Sequence, residues 1–299
     1  MDIATPTGMD TADVHVRSGS HQMIQMLSYP FMQHAVIAGT LIAVMSGTLG
    51  WFMVLRRQIF AGHTLSTMSF PGATAALVVG IPLAMGYYVA CICAAIAIGW
   101  RAPTRHLTGP LSSARIGTIQ VVGFATGFTL LGYSTHILGG LDQLLFGTFL
   151  GIDRTQLIIL IAMTCVVVVI IACIGRPLVF ASLDPELAEA VGLPVRALDI
   201  GFLILLGVVV AATAQITGAL LVFALLVTPP AIAQRLTARP AQGMIVSAGI
   251  GVALIWLSLI CAYFSVYPLG FFTTSIGFAV YVIVVVVQRS ASGLRAVHV

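Results

Sequence analysis

The chain is a succession of long apolar runs cut by short polar breaks, and that alternation leaves few folds open. A helix needs about 20 mostly apolar residues to cross about 30 Å of hydrocarbon. Cutting at Gly, Pro and Arg clusters gives nine such runs, at approximately 31–55, 61–80, 83–100, 113–132, 156–174, 198–214, 219–236, 244–264 and 270–288. In lipid a spanning segment must satisfy its own backbone polar groups, so runs of this length are helices. The expected fold is all-α: a polytopic transmembrane helix bundle of about nine spans filling residues 29–290. Eight is the alternative, if Gln215–Gly218 is a bend within one long helix. Composition agrees, because 7% charged residues against the globular average of about 25% cannot clothe a water-facing surface.

The breaks can be tested by a rule not used to draw them. Arginine and lysine gather in cytoplasmic loops. If the N-terminus lies outside, eleven arginines fall inside (Arg56, Arg57, Arg101, Arg105, Arg115, Arg176, Arg196, Arg235, Arg239, Arg289 and Arg295) and two outside, Arg17 and Arg154. A miscounted helix would scramble that sorting, so the expected topology is N-out and C-in, multi-pass, in the plasma membrane. Residues 1–28, with three aspartates and no apolar core, read as a loose extracytoplasmic tail. Residues 291–299 read as a cytoplasmic one.

All thirteen basic residues are arginine. The phosphate-binding loop GxxxxGK[ST] needs its lysine, so a role driven by ATP requires a separate ATPase subunit. The five cysteines, Cys91, Cys93, Cys165, Cys173 and Cys261, show neither zinc nor disulfide spacing and read as buried small hydrophobes. The Arg101 to Arg105 turn is basic enough for lipid phosphates, although a plain topology signal explains it as well.

Three stretches carry further information. The longest inner loop reads as a short helix: Asp184 as N-cap, Pro185 at the first helical position, Glu186 and Glu189 early, Gly192 at the stop and Pro194 beyond it. Two free turns are marginal in water. The helix should therefore dock, on its own bundle or in a partner's groove, through Leu187, Ala190 and Val191. The second run is unusually polar. His63 and Thr67 share a helical face with Ser66 beside them, while Pro71 and Gly72 are expected to break the helix and free carbonyls near mid-depth. An ionisable group within a span is costly enough to suggest function. In the seventh run, Pro229-Pro230 should bend or end a helix near the inner face, as a gate or as a static kink.

With those residues in view, the chain resembles the ABC-3 family, the permeases of zinc, manganese and iron ABC importers. The resemblance rests on Arg56-Arg57 with Phe60-Ala61-Gly62, on Leu145-Phe146-Gly147, on Asp184-Pro185-Glu186 to Gly192-Leu193-Pro194, and on Gly218-Ala219-Leu220-Leu221-Val222 running into Pro229-Pro230-Ala231. It covers about residues 31–288. It implies a membrane permease subunit that is not itself an enzyme and binds no cofactor of its own. Its implied partners are a second permease subunit, cytoplasmic ABC ATPases and an extracytoplasmic substrate-binding protein. The Asp184–Gly192 helix would couple to the ATPase, with Glu186 and Leu187 at the contact.

Members usually carry Asp just after the glycine of the second run and His four residues later, where this chain has His63 and Thr67. No Asp or Glu is expected inside the runs. The ion would then pass His63 with help from freed carbonyls and from Gln120, or the cargo is not a bare dication. Import of a divalent transition metal, zinc or manganese first, is the leading expectation. A chelated metal such as a siderophore or haem is the alternative. A secondary transporter is remoter, because coupling to a proton or sodium gradient uses membrane acids.

Overall fold

A computed structural model of the chain describes residues 29–100, 110–133, 151–265 and 267–296. The N-terminal tail, the Arg101 to Arg105 turn, Leu145-Phe146-Gly147 and the last three residues lie outside the described residues. Every regular element among the described residues is an α-helix: α1 Pro30–Leu55, α2 Ile59–Val79, α3 Leu83–Gly99, α4 Pro110–Tyr133, α5 Arg154–Leu183, α6 Pro185–Ala190, α7 Val195–Leu236, α8 Pro240–Tyr263 and α9 Leu269–Ala296.

Local chemistry sets several of the starts. Proline occupies the first turn of α1, α6 and α8, where its missing N–H costs nothing. Asp153 and Gln156 close a capping box at the start of α5. At the other end of α2, Gly80 adopts a left-handed φ of 78° and stops the helix.

Among the described residues, six segments are long and apolar enough to cross a membrane: α1, Ser113–Tyr133 of α4, α5, Val195–Ala219 of α7, α8 and Leu269–Ser290 of α9. Leu83–Gly99 and Leu221–Leu236 are apolar but shorter. Helix α2 has the length, at 21 residues, and is set apart by its polar side chains.

Helix α7 contains the Gln215–Gly218 break. Its 42 residues would stretch about 63 Å if straight, roughly twice the hydrocarbon thickness. Gly218, however, has φ 77° and ψ 159°, outside the helical region. Phe202 before it packs on Phe52, with ring centroids 6.5 Å apart, and the Leu226 carbonyl after it abuts Gly50. A straight helix would hold residues 202 and 226 about 36 Å apart. Both meet residues 50–52 of α1, so the chain folds back at Gly218 and α7 is two antiparallel limbs. The Gln234 amide adds a bond to the Trp51 carbonyl at 2.9 Å.

The core lies where α1 meets both limbs of α7 and α8, and where α2 is enclosed by α3, α4 and α7. Lipid offers no hydrophobic drive for apolar helices to associate, so close packing must hold them. Gly72 of α2 and Gly86 of α3 show it: a β-carbon on either would collide with the other's carbonyl. At the periphery, Val166 and Val169 of α5 and Phe278 and Ile283 of α9 are exposed. Only lipid or another protein can cover such faces favourably.

Three expectations are corrected. Asp199 stands in the second turn of α7, inside the sixth run, where it pairs with Arg56. Of the cysteines only Cys91 is fully buried; Cys93, Cys165 and Cys173 face outward and Cys261 is intermediate. Neither proline stretch interrupts helix: α2 continues through Pro71 and α7 through Pro229-Pro230 to Leu236, the departure from helical geometry falling at Gly218 instead. Transmembrane helices tolerate proline where neighbours compensate, and here the Leu226 carbonyl, which loses its donor at Pro230, lies against Gly50.

Candidate functional site

Helix α2 is polar because it is enclosed. Thr64, Ser66, Thr67, Ser69 and Thr74 are all buried, so their hydroxyls must find acceptors inside the protein. Most turn back on their own helix: Ser66 donates to the His63 carbonyl at 2.8 Å, Thr67 to Thr64 at 2.8 Å, Ser69 to Ser66 at 2.6 Å and Thr74 to Pro71 at 3.0 Å. This back-bonding is the ordinary way to keep hydroxyls in a membrane helix.

His63 is different. It is half-buried, its ring meets Phe223 on the second limb of α7 edge-on at 4.7 Å between centroids, and its Nδ1 is buried without a hydrogen-bond partner. An unpaired polar nitrogen inside a bundle costs free energy unless a ligand or a proton uses it. Pro71 has no N–H, so the Thr67 carbonyl four residues earlier lacks its helical donor. The nitrogen and that carbonyl belong to one helical turn. Gln120 on α4 reaches α2 at a residue the sequence did not single out: its Oε1 accepts from Thr64 at 3.3 Å. The structure thus joins Gln120 to Thr64 rather than to His63. A hydroxyl one residue after the histidine, within a mostly apolar run, was all that the sequence offered to mark Thr64.

Helix α6 forms as its capping residues dictate. Asp184 Oδ1 accepts from the Leu187 N–H at 3.0 Å and Gly192 takes φ 86°. Its inward contact is Ala188, fully buried against Ala181 and Val195. Leu187 and Val191 are 50% and 68% exposed, and Glu186 and Ala190 are exposed too. The helix docks on its own bundle through one small residue and leaves its larger apolar side chains facing out.

Close to α6 along the chain, a buried ion pair ties α1 to α7. The Arg56 guanidinium donates to Asp199 Oδ1 and lies over the Phe202 ring, 5.2 Å from its centroid. Arg115 and Arg196 donate instead to the end of α3, at the Ile98 carbonyl (2.6 Å) and the Trp100 carbonyl (2.9 Å). Arginine there satisfies carbonyls that the helix end leaves open.

A bundle whose regular elements among the described residues are all helices, six segments of them long and apolar enough to cross a bilayer, is in class a multi-pass membrane protein. The chain belongs to the ABC 3 transport family, whose model matches residues 28–288. Among its relatives is the manganese transport system membrane protein MntC of Halalkalibacterium halodurans, 32% identical over 76% of this chain and 77% of that one. The chelated iron transport system membrane protein YfeD of Yersinia pestis is 28% identical over 79% and 78%. Among solved structures, PsaBC from Streptococcus pneumoniae in complex with Fab superposes with a TM-score of 0.77 at 25% identity, over 88% of this chain and 94% of that one. A putative metal-chelate type ABC transporter in an inward-facing conformation shares the fold, with a TM-score of 0.68 at 18% identity. The family resemblance drawn from the motifs therefore holds.

Proposed function

We propose that this chain is the membrane permease of an ABC importer in the plasma membrane, passing a divalent transition metal, with manganese placed ahead of zinc by the company of its relatives. It crosses the bilayer nine times, N-out and C-in, pairs with a second permease subunit, identical or homologous, and takes energy from a separate cytoplasmic ATPase and cargo from an extracytoplasmic binding protein. The observation that carries the reading is α6, a capped helix whose Leu187 and Val191 point away from the bundle in a chain with no lysine for a phosphate-binding loop.

In this reading the cargo passes His63 Nδ1, the Thr67 carbonyl and the hydroxyl-rich face of α2 with Ser66 and Gln120 nearby. Imidazole suits borderline transition metals. The gate belongs to α7, with Pro229 and Pro230 on its inner limb, while Pro71 and Gly72 shape α2. Vesicles holding the permease with its ATPase should take up manganese on ATP addition, and His63→Ala should cut the rate at least about tenfold, the loss of one metal-orienting contact. Unchanged uptake of manganese, zinc and iron by that variant would remove His63 from the pathway.

A chelated metal is the second reading. The absence of any carboxylate among His63, Ser66, Thr67 and Gln120 favours it, since a dication would cross without charge balance. Transport of the chelate but not of the free ion would decide for it.

A further inference from the structure

The arginine beside the buried pair is used differently from its neighbour. Arg56 is committed to Asp199, whereas the Arg57 guanidinium is exposed and has no hydrogen-bond or acidic partner among the described residues. Its backbone has φ 55°, and it is the one non-glycine residue in that region among the described residues. A bulky side chain held there calls for a reason. Arg57 lines a cavity of about 310 Å³ with Gln58, Phe60 and Ser113, between the starts of α2 and α4.

Two further features belong to residues of that cavity's wall. Gln58 is 4% exposed, and its Oε1 is buried without a donor. Gln58 also gives α2 no side-chain cap. The first helical bond of α2 runs from the Gly62 N–H to the Gln58 carbonyl at 3.0 Å, so the amides of residues 59–61 precede it, and Phe60 and Ala61 are on the cavity wall. A guanidinium and a helix N-terminus want a phosphate; a buried amide oxygen wants an N–H donor. The larger groove, about 560 Å³ between α2, α3 and α4, is almost wholly apolar and makes no such demand.

We propose that this cavity binds the headgroup of a membrane phospholipid carrying both a phosphate and a primary amine, a phosphoethanolamine headgroup. The phosphate sits on Arg57 and the opening amides of α2, and the ammonium donates to Gln58 Oε1. Phe60, 42% exposed, flanks the glycerol. The site lies on the arginine-rich side, at headgroup level, where basic pockets between helices collect lipid headgroups. It does not depend on the cargo.

The full chain extracted from bilayers of equal phosphatidylethanolamine, phosphatidylcholine and phosphatidylglycerol is assayed for retained lipid by native mass spectrometry. The wild type should retain phosphatidylethanolamine about fivefold over phosphatidylcholine, the share that one hydrogen bond from a primary ammonium to Gln58 Oε1 supplies and a quaternary one does not. Arg57→Gly removes the guanidinium while easing the backbone, so it should fold as well as the wild type and retain no lipid above background. Gln58→Leu should keep phospholipid binding but lose the preference for the primary amine. Equal retention of the three lipids by the wild type, or full retention by Arg57→Gly, overturns the proposal. Displacement of the lipid by micromolar water-soluble phosphoethanolamine also overturns it, by making a soluble phosphorylated amine the ligand.

Discussion

At the residue scale, the cost of placing charge inside the bundle is concentrated at Arg56 and Asp199. Their side chains are 6% and 14% exposed, so neither is hydrated well enough to stand alone. Breaking a buried pair from one side leaves an uncompensated charge, commonly worth about 3–5 kcal/mol. Asp199→Asn should therefore lower the thermal midpoint of the purified protein sharply, and Arg56→Gln combined with Asp199→Asn should recover part of the loss. An undisturbed midpoint for the single change would mean that water reaches Arg56. The sequence carried this pair in plain sight: Asp199 is the second residue of the sixth apolar run. Its role was hidden because the partner lies 143 positions away, a separation that periodicity does not see. The same limit hid the Thr64 to Gln120 bond and the Phe223 ring beside His63, which join α2 to α4 and α7.

At the element scale, what is local was legible. The cap at Asp184, the proline after it and the glycine stop are encoded within nine residues, and α6 forms where they place it. The choice of Ala188 as its anchor was not legible, since Leu187 and Val191 are the stronger hydrophobes and face outward. Glu186→Arg or Leu187→Asp should weaken co-purification with the ATPase while leaving extraction and helix content unchanged; full co-purification would place the contact elsewhere. Asp184→Ala should cost about 1 kcal/mol of local stability through the lost cap, read as faster amide exchange in residues 185–190. The proline stretches misled for a related reason. A proline removes one donor, but neighbouring helices decide whether the backbone bends, and here it stays helical.

At the scale of the whole molecule, the run-and-break pattern gave the bundle, and the arginine sorting gave a sidedness that labelling can test. An impermeant maleimide added to intact cells should modify Thr155→Cys, at the start of α5, and spare Glu189→Cys on α6, both positions being exposed. The reverse result would turn the permease over and move α6 away from any cytoplasmic ATPase. Which faces are inside could not be read from the chain, because the apolar runs are apolar on every side. Cys93, Cys165 and Cys173 look outward for that reason: in a bilayer an outward side chain is as oily as an inward one.

The fold-back at Gly218 has a mechanical consequence. The chain leaving α6 enters the first limb at Val195, and the second limb carries Phe223 against His63. Between them the only backbone joint with non-helical torsions is Gly218, so a push received at the surface helix and travelling along this covalent route is relayed as two stiff rods hinged at one residue. A side chain at that hinge would meet torsions that L residues avoid, and its stiffness decides how faithfully the far rod follows the near one.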